Sequence, residues 1–139
     1  MSNEHVSDLA LAVLRKCHFP HLATVEGDAP RVRPVSPVWV DGFTAWVASL
    51  SSSGKTEQIR ANDKVELCFM ADDHAQVRIA GRAVETTDRD KRLNVWNRYE
   101  LLARYFESVD DPKFVLYEIR PERVRYCKEW GLGYEEVPL

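Results

Sequence analysis

The fold is decided by one stretch in the first half of the chain, HLATVEGDAPRVRPVSPVWVDGFTAWVASL, residues 21–50. It contains runs rich in β-branched and aromatic residues, separated by the turn signals Glu26-Gly27-Asp28 and Asp41-Gly42. Because such short polar turns join antiparallel neighbours, the stretch predicts three consecutive antiparallel strands. Pro34 and Pro37 fall inside the second of these. Since proline donates no backbone hydrogen bond, that strand must be an edge, be bulged, or face something other than a neighbour.

The remaining segments predict helices around further strands. Hydrophobic periodicity and turn residues predict a first helix over 5–17, a short helix over 55–62, strands over 64–71 and 75–86, a longer helix from 88 to about 106, two final strands in FVLYEIRP and RVRYCKEW, and a surface tail in GLGYEEVPL. Gly81, inside the strand over 75–86, marks a bend or a close backbone approach. Six or seven antiparallel strands in so short a chain most simply close into a small barrel covered by helices.

Length and charge narrow the class of function. The chain has 139 residues and a formal net charge of −3, without a strongly basic half. We therefore expect one domain over residues 1–139, with neither nucleic acid nor a membrane as a partner. The N-terminus lacks the cationic start and apolar core of a signal peptide, and no apolar run reaches the roughly 20 residues of a membrane span. A cytoplasmic protein is the expectation.

Reactive side chains show no catalytic or metal-binding pattern. The three cysteines are far apart, and the four histidines are dispersed without metal-ligand spacing. This predicts neither a disulfide framework nor a metal site. No Ser-His-Asp or Cys-His arrangement is present, so the sequence points to no catalytic side chain.

The segment SSSGKTEQI, residues 51–59, contains the end of a phosphate-binding P-loop, Gly54-Lys55-Thr56. A complete P-loop requires a glycine five positions before Gly54, where this chain has Ser49. P-loop proteins also use parallel sheets with nearly continuous apolar strands, and the strands predicted here are antiparallel. These two differences argue against nucleotide hydrolysis.

The same segment still favours binding of an anion. A strand ends, a serine-rich loop follows, and a helix begins with Ser53 at its cap position. The first N–H groups of a helix have no internal partner and carry partial positive charge, to which Ser49 and Ser53 add hydroxyl donors and Lys55 a full charge. The alternative is a solvated serine-rich loop with an exposed lysine.

A second cationic segment is Arg31-Val32-Arg33-Pro34-Val35 on the proline-bearing strand. In an extended chain Arg31 and Arg33 point to the same side. Two arginines on one side are costly to bury unless they meet an anion, whereas a solvent-facing pair on an edge strand is the alternative.

With these two segments in this order, the sequence resembles the pyridoxamine 5′-phosphate oxidase-like flavin-binding split barrels, and is most similar to their short general-stress-protein branch. The resemblance runs from HLATVEGDAPRVRPV through FTAWVASLSSSGKTEQIRANDKVELCF and QVRIAGRAVET to NVWNRYELLARYF and DDPKFVLYEIRPERVRYCKEW. It implies a mainly β fold, a six-stranded antiparallel split barrel with flanking helices. It further implies a homodimer with two FMN molecules, each in a cleft between subunits.

The resemblance also implies a cofactor site. Arg33 would contact the FMN phosphate or ribityl chain, and the backbone of Val35 and Ser36 would lie beside the isoalloxazine ring. The remaining positions that the family pattern places at the cofactor are Ser53 and Lys55 at the phosphate, Ser49 assisting them, Gln76 by way of the partner subunit, and Trp130 near the ring.

Two departures from the family concern the substrate. The chain lacks the longer C-terminal segment with which the oxidases proper bind substrate phosphate, and Gly54 stands where an arginine is common. The resemblance therefore implies the cofactor but does not imply the substrate. An FMN-dependent oxidoreductase with a small-molecule electron donor or acceptor is the leading hypothesis. A flavin-binding stress protein without turnover, or the same fold with deazaflavin or haem, stays open.

Overall fold

The computed structural model describes residues 3–129 and 131–139, and this part of the chain forms eight strands and four helices. In chain order they are α1 (Asn3–Lys16), β1 (His21–Glu26), β2 (Ala29–Pro34), β3 (Trp39–Asp41), β4 (Thr44–Leu50), α2 (Gly54–Ala61), β5 (Lys64–Met70), β6 (Gln76–Glu85), α3 (Arg89–Arg98), α4 (Leu102–Tyr105), β7 (Phe114–Cys127) and β8 (Glu135–Val137). The predicted mainly β fold with flanking helices is confirmed. The predicted count of six strands is wrong, because short segments at Trp39–Asp41 and Glu135–Val137 also pair.

One antiparallel sheet contains all of these strands, in the order β2-β1-β5-β6-β7-β4-β3 with β8 beside β7. Leu22 of β1 and Val47 of β4 pack in the same core, although three strands lie between them in the sheet. The sheet must therefore curl around this core, as a barrel-like fold requires. Helix α1 adds Ala10 and Val13 to the same core, which explains its amphipathic sequence.

The two prolines divide the predicted second strand into two edge strands. β2 ends at Pro34 and β3 begins at Trp39, so Pro37 lies in neither strand. β2 and β3 stand at opposite ends of the sheet order, which confirms the prediction of an edge position. Because proline removes a ladder donor, the chain leaves one edge here and crosses to the other.

Strand β4 is buried on both faces. Ala45 and Val47 face the main core, whereas Trp46 packs with α3 and α4 in a second cluster that also includes Phe114 and Leu116 of β7. A strand covered on both sides needs apolar residues at successive positions, which explains why FTAWVASL alternates so weakly.

The long helix predicted to end near Phe106 is two helices. Tyr99 adopts an extended conformation after α3, and α4 begins at Leu102. The turn allows Val95 and Leu102 both to be buried, whereas Ala103 is exposed.

The two final strands predicted separately are one continuous strand, β7, because a register shift opposite Gly81 accommodates Pro121. A side chain on Gly81 would place its Cβ only 1.9 Å from the Arg120 carbonyl oxygen, which confirms the predicted close approach. The predicted surface tail is also wrong in part, since β8 pairs with β7 and Val137 is buried. None of the helices in the described ranges is long and apolar enough to cross a bilayer.

Candidate anion-binding cleft

A cleft of about 350 Å³ opens where β2, β4 and α2 meet the α3–α4 region. This volume is at the lower end of the range for small-molecule sites. One end is cationic and polar, and the other is lined by apolar and aromatic side chains. The residues that line it are Arg33, Pro34, Val35, Ser36, Val38, Val47, Ala48, Ser49, Leu50, Ser53, Lys55, Tyr99, Leu101, Leu102, Tyr105 and Phe106.

The cleft therefore brings together six of the eight residues predicted for the cofactor site: Arg33, Val35, Ser36, Ser49, Ser53 and Lys55. Gln76 does not line it, and its side-chain oxygen instead accepts a hydrogen bond of 2.7 Å from the Tyr134 hydroxyl. Trp130 lies outside the described residues. The prediction that Gln76 acts through a partner subunit stays a prediction.

Local hydrogen bonds shape the wall formed by residues 34–38. After β2 ends at Pro34, the Val35 amide donates to the Pro20 carbonyl at 2.8 Å. Three residues later the Val38 amide donates to the Trp46 carbonyl at 2.9 Å and brings the chain onto β4. Between these two anchors the backbone follows the rim of the cleft, with Val35 buried and Ser36 exposed.

Hydroxyl groups hold the loop between β4 and α2. Thr56 donates to the Leu50 carbonyl at 2.7 Å, so the 2.7 Å contact between Ser49 and Thr56 uses the Ser49 proton. The Ser53 hydroxyl lies 3.1 Å from that of Ser49 and makes no hydrogen bond to the start of α2. The Ser49 proton is thus used within the loop, and the contact between the two serines uses the Ser53 proton, which would have to leave Ser49 to reach a ligand.

Among the described residues, Arg33 is held by neutral acceptors. Its guanidinium donates to the Leu22 carbonyl at 3.2 Å, to the Thr24 hydroxyl at 2.8 Å and to the Gln58 side-chain oxygen at 2.6 Å. No carboxylate of the described residues forms a salt bridge with it. Its position is fixed, but its charge is not compensated.

Lys55, in the first turn of α2, is half-buried and likewise forms no salt bridge within the described ranges. Burial lowers the pKa of its ammonium group, and the nearby charge of Arg33 lowers that pKa further. Burial also lowers the pKa of Arg33. Two partly desolvated cations therefore repel each other at the polar end of the cleft, and an anion between them would relieve this repulsion.

The arginines at 31 and 33 do reach the same face of β1, as predicted, but their surroundings differ. Arg31 forms an exposed ion pair with Glu26 at 3.1 Å. The solvent-facing alternative therefore describes Arg31, and the anion-binding alternative fits only Arg33.

The sequence interpretation missed Thr24, Gln58 and the aromatic wall from Tyr99 to Phe106. Thr24 had a detectable signal, since this polar residue shares the inward face of β1 with Leu22 and is itself buried. Gln58 had none, because a glutamine in a short helix is typical of a solvated surface.

Comparison with known proteins places this arrangement in a family. The sequence model described as pyridoxamine 5′-phosphate oxidase matches residues 6–128. The chain belongs to this family. General stress protein 26 of Bacillus subtilis (strain 168) is 29% identical over 129 residues, which are 90% of this chain and 90% of that protein.

Two solved structures show the same fold in proteins that bind different cofactors. A pyridoxamine 5′-phosphate oxidase-related, FMN-binding protein from Nostoc punctiforme superposes with a TM-score of 0.68 at 17% identity, covering 98% of this chain and 95% of that one. A heme-binding protein from Mycobacterium smegmatis superposes with a TM-score of 0.79 at 16% identity, covering 94% of this chain and 57% of that one. At these identities the likeness concerns the fold.

Proposed function

We propose that this protein binds FMN in the cleft and uses it as a flavin-dependent oxidoreductase. The observation that carries the proposal is the convergence of Arg33 and Lys55 in the cleft, with no carboxylate of the described residues paired to either. A folded protein tolerates two such partly buried cations most readily where a ligand supplies the opposite charge.

The residues present fit the two ends of FMN. Arg33, Lys55 and the Ser53 hydroxyl would hold the phosphate, with the N-terminus of α2 adding partial positive charge. Val35, Ser36 and the apolar wall that includes Tyr99 and Leu102 would accommodate the ring. When bound, flavin supplies hydride and electron transfer, and the protein binds, orients and shields it. No side chain needs to act as a nucleophile or a proton donor.

A homodimer is part of the proposal. Leu50, Leu101 and Tyr105 line the cleft yet are 45%, 37% and 70% exposed in one subunit. Apolar side chains grouped at the mouth of a ligand site favour coverage by another protein surface. A second copy of the chain would cover them and could contribute Gln76. A single species of monomer mass in light scattering of the cofactor-loaded protein would contradict the shared cleft.

Haem is the second candidate, because one structural neighbour is a heme-binding protein. The described residues that line the cleft include no histidine, cysteine or methionine, the usual axial ligands, and offer only Tyr99 and Tyr105 in that role. The cationic end, by contrast, fits a phosphate. This favours FMN or a deazaflavin with a phosphorylated side chain.

An absorption spectrum of the purified protein separates these cofactors. Flavin bands support the proposal, whereas a Soret band would contradict it. Anaerobic stopped-flow mixing of the FMN-loaded protein with NAD(P)H then separates an enzyme from a flavin-storing protein. Rapid bleaching of the flavin indicates an oxidoreductase with a nicotinamide electron donor. If neither NAD(P)H nor other reductants bleach the flavin, flavin storage without turnover would be the better description.

A further inference from the structure

Gln58 connects three elements around Arg33. From the middle of α2 its side chain reaches β1 and β2, where its oxygen accepts from Arg33 and from the Thr24 hydroxyl, both at 2.6 Å. Its amide nitrogen donates to Glu26 at 3.1 Å. The side chain therefore uses both of its polar atoms between a cation and a carboxylate.

These contacts permit only one orientation of the amide. The oxygen faces two donors, and the nitrogen faces an acceptor. A rotated amide would direct its N–H groups at the guanidinium and leave Glu26 facing an oxygen. Thr24 supports the same arrangement, because it donates its proton to Gln58 and accepts one from Arg33 at 2.8 Å. The guanidinium is thereby held from two sides by fixed neutral groups.

Gln58 also separates Arg33 from the nearby carboxylate of Glu26. One oxygen of Glu26 accepts from Arg31 at 3.1 Å, and the other accepts from the Gln58 amide. Both oxygens are thus engaged at a distance from Arg33, with which Glu26 forms no salt bridge. A carboxylate in the place of the amide would instead compensate Arg33 within the protein and compete with a ligand.

We propose that Gln58, supported by Thr24, is a positioning residue that keeps Arg33 oriented and uncompensated, and thereby sets the preference for a phosphorylated flavin over an unphosphorylated one. This inference rests on the proposed function, since it concerns how the same site selects its ligand. Gln58 does not line the cleft, so it acts through Arg33.

The test is the substitution Gln58→Glu, which keeps the shape of the side chain and adds one negative charge. Dissociation constants for FMN and for riboflavin are measured by quenching of flavin fluorescence on the full chain. We expect Gln58→Glu to weaken FMN binding by about ten- to a hundredfold, because this corresponds to the loss of a charge-assisted hydrogen bond. Riboflavin binding should be unchanged. Asn62→Asp, the same chemical change at the end of α2, is the matched control and should keep the preference for FMN.

A second variant separates charge from folding. In Gln58→Glu the new carboxylate faces Glu26, and this repulsion can destabilise the protein. The double variant Glu26→Gln, Gln58→Glu removes the repulsion while keeping a carboxylate beside Arg33. We expect it to recover thermal stability but not the preference for FMN.

The outcomes distinguish the two proposals. If the wild type prefers FMN and Gln58→Glu keeps that preference, or the double variant regains it, the role assigned to Gln58 is wrong and the proposed cofactor stands. If the wild type binds FMN and riboflavin equally, the phosphate assignment of the proposed function is itself wrong, and the inference about Gln58 is overturned with it.

Discussion

Two of the part-buried settings of arginine in this protein differ in their acidic partners. On one face of the sheet, Arg78 of β6 and Arg125 of β7 lie 2.7 and 3.5 Å from the carboxylate of Glu66 on β5. In the cleft, Arg33 contacts neutral oxygens and lies near Lys55, and neither cation is paired with a carboxylate in the part of the chain that the structure describes. We call these the paired cluster and the unpaired cluster.

The pKa of Arg78 in the paired cluster shifts in the opposite direction to the pKa values of Arg33 and Lys55. The hydrogen bond from Arg78 to Glu66 raises the pKa of that guanidinium, whereas burial lowers the pKa of Arg33 and of Lys55. A cation whose charge is balanced by a carboxylate of the protein contributes to structure and attracts an anionic ligand only weakly. A cation that is positioned but not compensated is ready for an anion, which makes the presence of a carboxylate a better guide than the number of cations.

The largest effect is expected when the unpaired cluster loses its arginine. Arg33→Met should weaken FMN binding by about ten- to a hundredfold, because a charge-assisted hydrogen bond to phosphate is removed. Riboflavin binding should change little. Fluorescence titration with both ligands measures this, and Arg31→Met, two residues away on the same face, is the control. Equal losses in both variants would show that position in the cleft does not matter.

A change of pH should remove the second cation of the unpaired cluster. In the proposed site, phosphate binding requires charged Lys55. Burial and the charge of Arg33 lower the pKa of this group from its usual 10.5. FMN affinity should therefore fall by up to about tenfold as the pH rises through the lowered pKa. Titrations with riboflavin, which carries the same ring, correct for ionisation of the flavin. Lys55→Met should bind FMN weakly at every pH, and an alkaline decline that persists in this variant would point to another group.

The same pKa shift predicts the opposite trend for stability without ligand. A lysine whose pKa is lowered on folding binds fewer protons in the native state than in the unfolded chain. The free energy of unfolding should therefore rise as the pH climbs from the lowered pKa towards 10.5. Denaturant titrations of wild type and Lys55→Met across this window measure the contribution. If the two proteins show the same pH dependence, Lys55 is not desolvated as the geometry indicates.

A smaller effect is expected when the paired cluster loses its carboxylate. Glu66→Gln leaves Arg78 and Arg125 without compensation and should lower the free energy of unfolding by about 1 kcal/mol, a modest value because the groups are partly exposed. Inorganic phosphate should restore part of this loss, since the variant resembles the unpaired cluster. Glu122→Gln, at an exposed pair with Arg82, is the control. Full stability of Glu66→Gln would contradict the structural role of the pairing.

The smallest effect is expected at the exposed pair between Arg31 and Glu26. Their side chains are 49% and 56% exposed, so solvent and salt screen the attraction. Arg31→Met should leave the midpoint of denaturant unfolding within experimental error. A clear loss of stability would instead show that the pair with Arg31 is needed to hold Glu26 in place beside Gln58.

The turns and strands of the sheet differ in how well the sequence predicted them. The turns at Gly27 and Gly42 were predicted, and both glycines have positive φ angles, 64° and 58°, which L-residues with side chains disfavour. The break expected at Pro121 did not occur, because Gly81 on the neighbouring strand lets the backbone approach closely at a register shift. Strand β8 was missed because its stability comes from pairing with β7 and from burial of one residue, Val137.

The sequence by itself determined the antiparallel sheet, its edge prolines and the residue types of an anion site, because these depend on local periodicity, turn chemistry and charge. Only the tertiary structure decided which arginine lines the proposed anion site. Arg31 and Arg33 are the same residue type on the same face of one strand, yet Glu26 compensates the first, and Thr24 and Gln58 hold the second. Compensation depends on side-chain distances between the paired strands β1 and β2 and from these strands to α2, and these distances exist only after folding.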